Sequence, residues 1–217
     1  MKSPQIRGIA WAHGEKPHAT MVVNERRRPP RRVLMAEKNR DLIRTGVVAD
    51  RDRLEELLDD LVERVAREYA GEPDLAVVGV RAGGERLAHL LADRLAGLKG
   101  SPVPLGFVDI TLYRDDIHRL GYLPEVGATE IDFPLDDVVV LLADDVLYTG
   151  RTVRAAIDEL IDFGRPKAIR LVVVAERPGR ELPLQPDYVG LHVTPAPGEL
   201  VLVRLDDPEP GVFLYRR

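Results

Sequence analysis

The sequence predicts an α/β fold with a mainly parallel central sheet and helices on both of its faces. Three observations carry that expectation. Short apolar runs occur at 75–80 and 138–143 and, with Arg170 near its start, at 169–175; segments of helical period lie between them, and glycine-bearing turns stand where the first two runs give way to a helix. A strand with one solvated face alternates apolar and polar residues; these runs do not, so both faces must be covered.

The elements follow in chain order. Residues 1–48 show no sustained helical or strand period, and Pro29 and Pro30 break the Arg26 to Arg32 stretch, so this part is read as a disordered extension ahead of a domain at 49–217. It holds eleven Lys and Arg against four Asp and Glu in a chain of net charge −5, which sets a basic arm on an acidic body. Such an arm is either a nucleic-acid contact or a solvated tail. From Asp50 or Asp52 as cap, Leu54, Leu57, Leu58, Leu61, Val62 and Val65 repeat at helical spacing until Gly71 and Pro73 end the helix. The run Leu75 to Val80 reads as a buried strand, Gly83 and Gly84 as a turn, and Leu87, Ala88, Leu90, Leu91 and Leu95 as the inward face of a second helix. A strand is expected from about Val103 to Tyr113, then a long polar hairpin or lid over 114–132, marked by Gly121, Pro124 and Gly127. A strand over Val138 to Ala143 follows, then Asp144 and Asp145, then a loop ending at Gly150. Next come a helix carrying Val153, Ala156, Ile157, Leu160 and Ile161, a strand from Ile169 to Ala175, and shorter strands at 201–205 and 212–215.

Composition narrows the chemistry. With no cysteine in 217 residues, disulfides, thiol nucleophiles and iron–sulfur clusters are excluded. No apolar run approaches the ~20 residues a bilayer requires and the first thirty residues lack a signal peptide's apolar stretch, so a cytoplasmic protein without a membrane contact is expected. His89 and His118 lack the spacing of a metal site and are expected at the solvent or in the lid.

In an open α/β sheet ligands gather at the carboxyl ends of strands. The segment VVVLLADDVLYTGRT, residues 138–152, brings two adjacent carboxylates to such an end and leads through Thr149, Gly150, Arg151 and Thr152 into a helix N-terminus. Free amides and a partial positive charge there bind a phosphate, Gly150 permits close backbone approach, and the threonine hydroxyls add donors. Two carboxylates beside a phosphate repel it unless they hold ribose hydroxyls or a cation such as Mg²⁺. The segment is therefore read as a ribose-phosphate cradle. Neither GxxxxGK[ST] nor GxGxxG occurs, which argues against the Walker and dinucleotide alternatives.

The segment DDVLYTGRTVRA resembles the phosphoribosyl-diphosphate signature of type I phosphoribosyltransferases, in particular the bifunctional pyrimidine operon attenuation protein/uracil phosphoribosyltransferase family. ITLYRDD at 110–116, DFGRP at 162–166, RELP at 180–183 and DYVG at 187–190 extend the resemblance from about residue 50 to the end of the chain, leaving out residues 1–48. The resemblance implies the type I phosphoribosyltransferase fold, with a flexible lid hairpin and a small hood. It further implies that Asp144 and Asp145 hold the ribose hydroxyls and, with Glu176, Mg²⁺, and that Val146, Leu147, Tyr148, Thr149, Gly150, Arg151 and Thr152 bind the 5-phosphoribosyl diphosphate. The diphosphate would lie on the backbone of Val80 to Gly84, hence Arg81, Ala82, Gly83 and Gly84, with Arg114 arriving on the lid. Uracil would stack under a hood containing Arg177, Arg180 and Leu182. The implied partners are uracil, 5-phosphoribosyl diphosphate, uridine nucleotides and a pyrimidine-operon mRNA, in a homodimer or larger assembly.

The chain departs from that family in four places. Ala82-Gly83-Gly84 stands where Thr-Arg-Gly is usual, Glu176 to Pro183 replaces Asp-Arg-Gly-His-Arg-Glu-Leu-Pro, and Thr194-Pro195-Ala196 replaces a Pro-Thr-Ser motif. The first helix carries Glu55, Glu56, Asp59, Asp60 and Glu63 where basic residues are typical, which opposes an RNA backbone. The missing basic residue at the diphosphate loop predicts that Gly83→Arg raises turnover. An active uracil enzyme, an RNA-binding attenuator with degraded catalysis, and a transferase for another base are the three functional readings.

Overall fold

The computed structural model of the chain describes residues 42–81, 83–110 and 128–217, and all of these fall in one compact unit, Asp41–Arg217. Its elements are β1 (Ile43–Ala49), α1 (Arg51–Tyr69), β2 (Leu75–Val80), α2 (Glu85–Lys99), β3 (Leu105–Val108), β4 (Val139–Leu147), α3 (Arg151–Phe163), β5 (Ala168–Glu176), β6 (Tyr188–His192), β7 (Leu200–Arg204) and β8 (Gly211–Arg216). Asp50 caps α1 by accepting from the Arg53 amide at 3.0 Å.

Five strands form a parallel sheet in the order β3-β2-β4-β5-β6. Its central strands carry apolar stretches without alternation because successive residues enter two different cores. Leu75, Val77, Leu141, Ala143, Val172 and Val174 face α1 and α2, whereas Val78, Val80, Val140, Leu142, Leu171 and Val173 face α3. Ten of those twelve are completely or almost completely buried. Burial of this kind stabilises by ~25 cal/mol per Å² of apolar surface removed from water. The family-level expectation of a parallel sheet flanked by helices is met.

Three strands form a separate antiparallel sheet, β1-β8-β7. Here the observed architecture corrects the sequence reading. The extension drawn to residue 48 overlaps β1, whose residues are mostly exposed and lack alternation because the strand lies at a sheet edge and contains Gly46. Its partner β8 is remote in sequence, so no local pattern marks it. β4 also runs four residues beyond the Ala143 at which the apolar run stops, since β5 pairs with it as far as Leu147↔Glu176. Of the strand expected from 103 to 113, the described part is β3, and β6 was not expected at all. Residues 111–127, which take in most of the expected lid with Arg114 and His118, lie outside the described residues, as do Ala82 and residues 1–41.

The topology creates the site. β2 is followed in the chain by β3 on one side, and the chain then returns to place β4 on the other side of β2. The strand order reverses between β2 and β4, and a crevice opens at their carboxyl ends.

Candidate active site

Pairing between β2 and β4 stops at Gly79↔Ala143, while β4 continues to Leu147 against β5 alone. The open edge of β4 is thereby turned toward the loop after β2. Gly84 fits against that edge so closely that a Cβ built on it would lie 1.9 Å from the Ala143 carbonyl oxygen and 2.9 Å from the Val80 nitrogen. Glycine is required at 84 by close approach of two backbones. The same approach brings Gly83 to the acid pair, whose Oδ1 atoms would lie 2.8 Å (Asp145) and 3.0 Å (Asp144) from a Cβ at 83.

Asp144 is buried and Asp145 half-buried. The Asp145 amide donates to Asp144 Oδ1 at 3.0 Å and the Val146 amide to Asp145 Oδ1 at 2.6 Å. Burial pushes the Asp144 carboxyl well above the usual range, and the neighbouring Asp145 charge adds to the rise. Burial also raises Asp145, to about 6, with the Val146 amide opposing it. Two hard oxygen donors whose shared negative charge is poorly solvated are suited to a divalent cation completed by substrate oxygens. Glu176 does not join them. Among the described residues no three His, Asp or Glu side chains gather as metal ligands, and the Glu176 carboxylate is taken up by Arg180 Nη2 at 2.5 Å and His192 Nδ1 at 3.2 Å.

Beyond Leu147 the chain turns into α3. Gly150, with φ 90°, is the N-cap residue, no side chain caps the helix, and no acid occupies its first turn. Such an N-terminus directs backbone amides and the positive end of the helix dipole outward. The loop's carbonyls are turned the other way. Leu147 O accepts from the Arg177 amide at 3.0 Å, Thr149 O from the amides of Glu181 and Leu182 at 3.0 and 3.2 Å, Gly150 O from the Arg154 amide at 2.9 Å, and Tyr148 O from Arg180 Nη1. The Arg177 guanidinium lies 4.1 Å over the centre of the Tyr148 ring, and Arg151 pairs with Glu181 at 2.8 Å.

The sequence-predicted residues therefore separate into groups. Asp144, Asp145, Gly83 and Gly84 come together at the crevice, and Tyr148 to Thr152 adjoin them. Arg177, Arg180 and Leu182, expected at a base, hydrogen-bond to the carbonyls of Leu147, Tyr148 and Thr149 and so brace the back of that loop. Arg81 is committed elsewhere: its guanidinium donates to Ala128 O at 2.8 Å, Glu85 at 3.1 Å and Glu130 at 2.7 Å, and stacks on Phe107. A cavity of about 720 Å³ opens beside the brace, lined by Glu176 to Arg180, Pro183 to Gln185 and His192 to Thr194. Its lining includes neither aspartate.

Residues 46–207 match the phosphoribosyl transferase domain family. Among curated relatives, bifunctional protein PyrR of Acetivibrio thermocellus is 43% identical over 164 residues, covering 76% of this chain and 89% of the relative. That of Thermus aquaticus is 47% identical over 160 residues, covering 71% and 88%. Among solved structures, a Trypanosoma cruzi hypoxanthine phosphoribosyltransferase superposes with a TM-score of 0.61 at 19% identity, over 80% of this chain and 92% of that one. At that identity the superposition shows the fold.

Proposed function

Since the chain belongs to the phosphoribosyltransferase family and, within it, to the bifunctional PyrR proteins, we propose that it transfers the phosphoribosyl group of 5-phosphoribosyl diphosphate to uracil, giving UMP and diphosphate. The observation that carries the reading is the meeting of a side-chain-free turn, Gly83-Gly84, with the Asp144–Asp145 pair beside an uncapped helix N-terminus. In this reading the amides from Tyr148 to Thr152 take the 5-phosphate, the backbone at Gly83 and Gly84 takes the diphosphate, and the aspartates take the ribose hydroxyls. Asp144 and Asp145 would also hold Mg²⁺, which neutralises charge on the diphosphate when bound. The base sits near the Glu176 to Pro183 segment, where the adjacent cavity falls within the ~300–1,000 Å³ usual for small-molecule sites.

The reaction asks little acid–base chemistry of the protein. The N1–C1 bond forms as the C1–O bond to diphosphate breaks, its electron pair leaving on diphosphate and the N1 proton passing to solvent or the leaving group. Orientation of the two reactants and fixed dipoles around the oxocarbenium-like state supply the acceleration. Diphosphate release, measured with 5-phosphoribosyl diphosphate, Mg²⁺ and each nucleobase in turn, tests the reading. Uracil should be the best acceptor, and Asp144→Asn with Asp145→Asn should remove turnover; full turnover in the double mutant would remove the site assignment.

A second reading, an mRNA-binding attenuator that senses uridine nucleotides with weakened catalysis, is favoured by one observation. Arg81, the basic residue that leads into the Gly83-Gly84 turn, is occupied by Ala128, Glu85 and Glu130. Tight UMP binding and operon-leader RNA binding without detectable diphosphate release would favour it over the first.

A further inference from the structure

We infer that Arg180 is a positioning residue for the phosphate end of this site, an inference that rests on reading Tyr148 to Thr152 as a phosphate cradle. A backbone loop attracts an anion only while its amides face the anion and its carbonyls, of opposite polarity, are satisfied elsewhere. Four consecutive carbonyls, from Leu147 to Gly150, are held back in this way. Three of them rely on backbone amides, which no substitution removes short of proline. The fourth, Tyr148 O, relies on a side chain, the guanidinium of Arg180. Losing that donor would release a carbonyl at the centre of the loop to turn toward the bound phosphate.

Arg180 is built for this task. Its Nε donates to Leu184 O at 2.9 Å and its Nη2 to Glu176 at 2.5 Å, so the nitrogen aimed at Tyr148 is fixed from two sides. Its methylene stem also packs behind Gly150, where a Cβ on the glycine would meet Arg180 Cδ at 3.5 Å. With each of its three nitrogens engaged inside the chain, Arg180 acts on the ligand through the loop and makes no contact of its own with a base.

The test compares ribose 5-phosphate with UMP by calorimetry, since both carry the phosphate and one carries the base. In Arg180→Ala both ligands should weaken by a common factor of about tenfold or more. Arg180→Lys, which keeps the charge but reaches fewer acceptors, should weaken both by a smaller common factor, and it carries the test should the alanine variant fail to fold. Loss of UMP binding alone would make Arg180 a base contact and overturn the inference, as would unchanged affinity for both ligands. If wild-type protein binds no ribose 5-phosphate, the cradle reading itself fails and takes the inference with it; that outcome is distinct because it appears before any substitution.

Discussion

Arg81 Nη2 donates to Glu130 at 2.7 Å, joining the end of β2 to the stretch that returns to the sheet through the Phe107↔Glu130 bridge. Together with the bonds to Ala128 and Glu85, this makes Arg81 a structural tie ahead of the Gly83-Gly84 turn. Arg81→Lys keeps the charge but gives up the planar fork. It should lower stability by about 1–3 kcal/mol, seen as a fall in Tm of several degrees. A mutant with wild-type Tm and a sharply raised KM for 5-phosphoribosyl diphosphate would instead make Arg81 a ligand.

Gly84→Ala should be among the most damaging single substitutions in the chain. A methyl group 1.9 Å from the Ala143 oxygen forces β2 and β4 apart at the crevice, and overpacking of backbone against backbone costs about 1–3 kcal/mol or more. Thermal melting and turnover should both fall. A stable, active Gly84→Ala protein would mean that the turn is not held as described.

Gly83→Arg, expected from sequence to restore a diphosphate contact, should lower turnover instead. The new Cβ would fall within 3 Å of both aspartate Oδ1 atoms, so the acid pair must move before the guanidinium can help. Gly83→Ala serves as the control. If both substitutions reduce kcat/KM alike, space decides; a rise with Arg and a fall with Ala would restore the charge argument.

The acid pair makes a signed prediction for pH. A carboxyl with its folded pKa raised binds more protons folded than unfolded, so its contribution to stability falls as pH climbs from the unfolded value, ~4, through the folded one. For Asp145 that window closes at about 6, and the Asp144 carboxyl is shifted in the same direction by its burial. Asp145→Asn should therefore raise Tm at pH 7.5, by on the order of 1–3 kcal/mol in stability, and leave it nearly unchanged at pH 4. Mg²⁺ with substrate should narrow the difference at pH 7.5. A mutant less stable than wild type at pH 7.5 would show that the pair is not under strain.

Helix α1 was legible because Leu54, Leu57, Leu58, Leu61, Val62 and Val65 share one buried face, and β2, β4 and β5 because burial on both faces gives Leu75 to Val80, Val139 to Ala143 and Leu171 to Ala175 no polar residue. The acid pair and its glycine turn were legible because carboxylates and glycines placed after buried strands have few uses in packing. The brace was not. Its work is done on the carbonyls of Leu147, Tyr148 and Thr149, which every sequence carries, and no pattern marks Arg180 as the donor to Tyr148 O. Arg180 and His192, the partners of Glu176, were hidden in the same way, being supplied by the turn of the chain and by β6. β1 stayed hidden because its pairing with β8 is a fact of tertiary structure and not of local pattern.

That pairing has a consequence for synthesis. β8 is the middle strand of its sheet, flanked by β1 and β7, yet Ala49 of β1 is matched to Val212, some 160 residues later. At a ribosomal pace of ~5–20 residues per second, β1 waits on the order of ten seconds or more with Ile43, Val47 and Val48 unpaired. The parallel sheet can gather while the chain is still emerging. The antiparallel one must wait for β8, and its closure is set by the pace of translation.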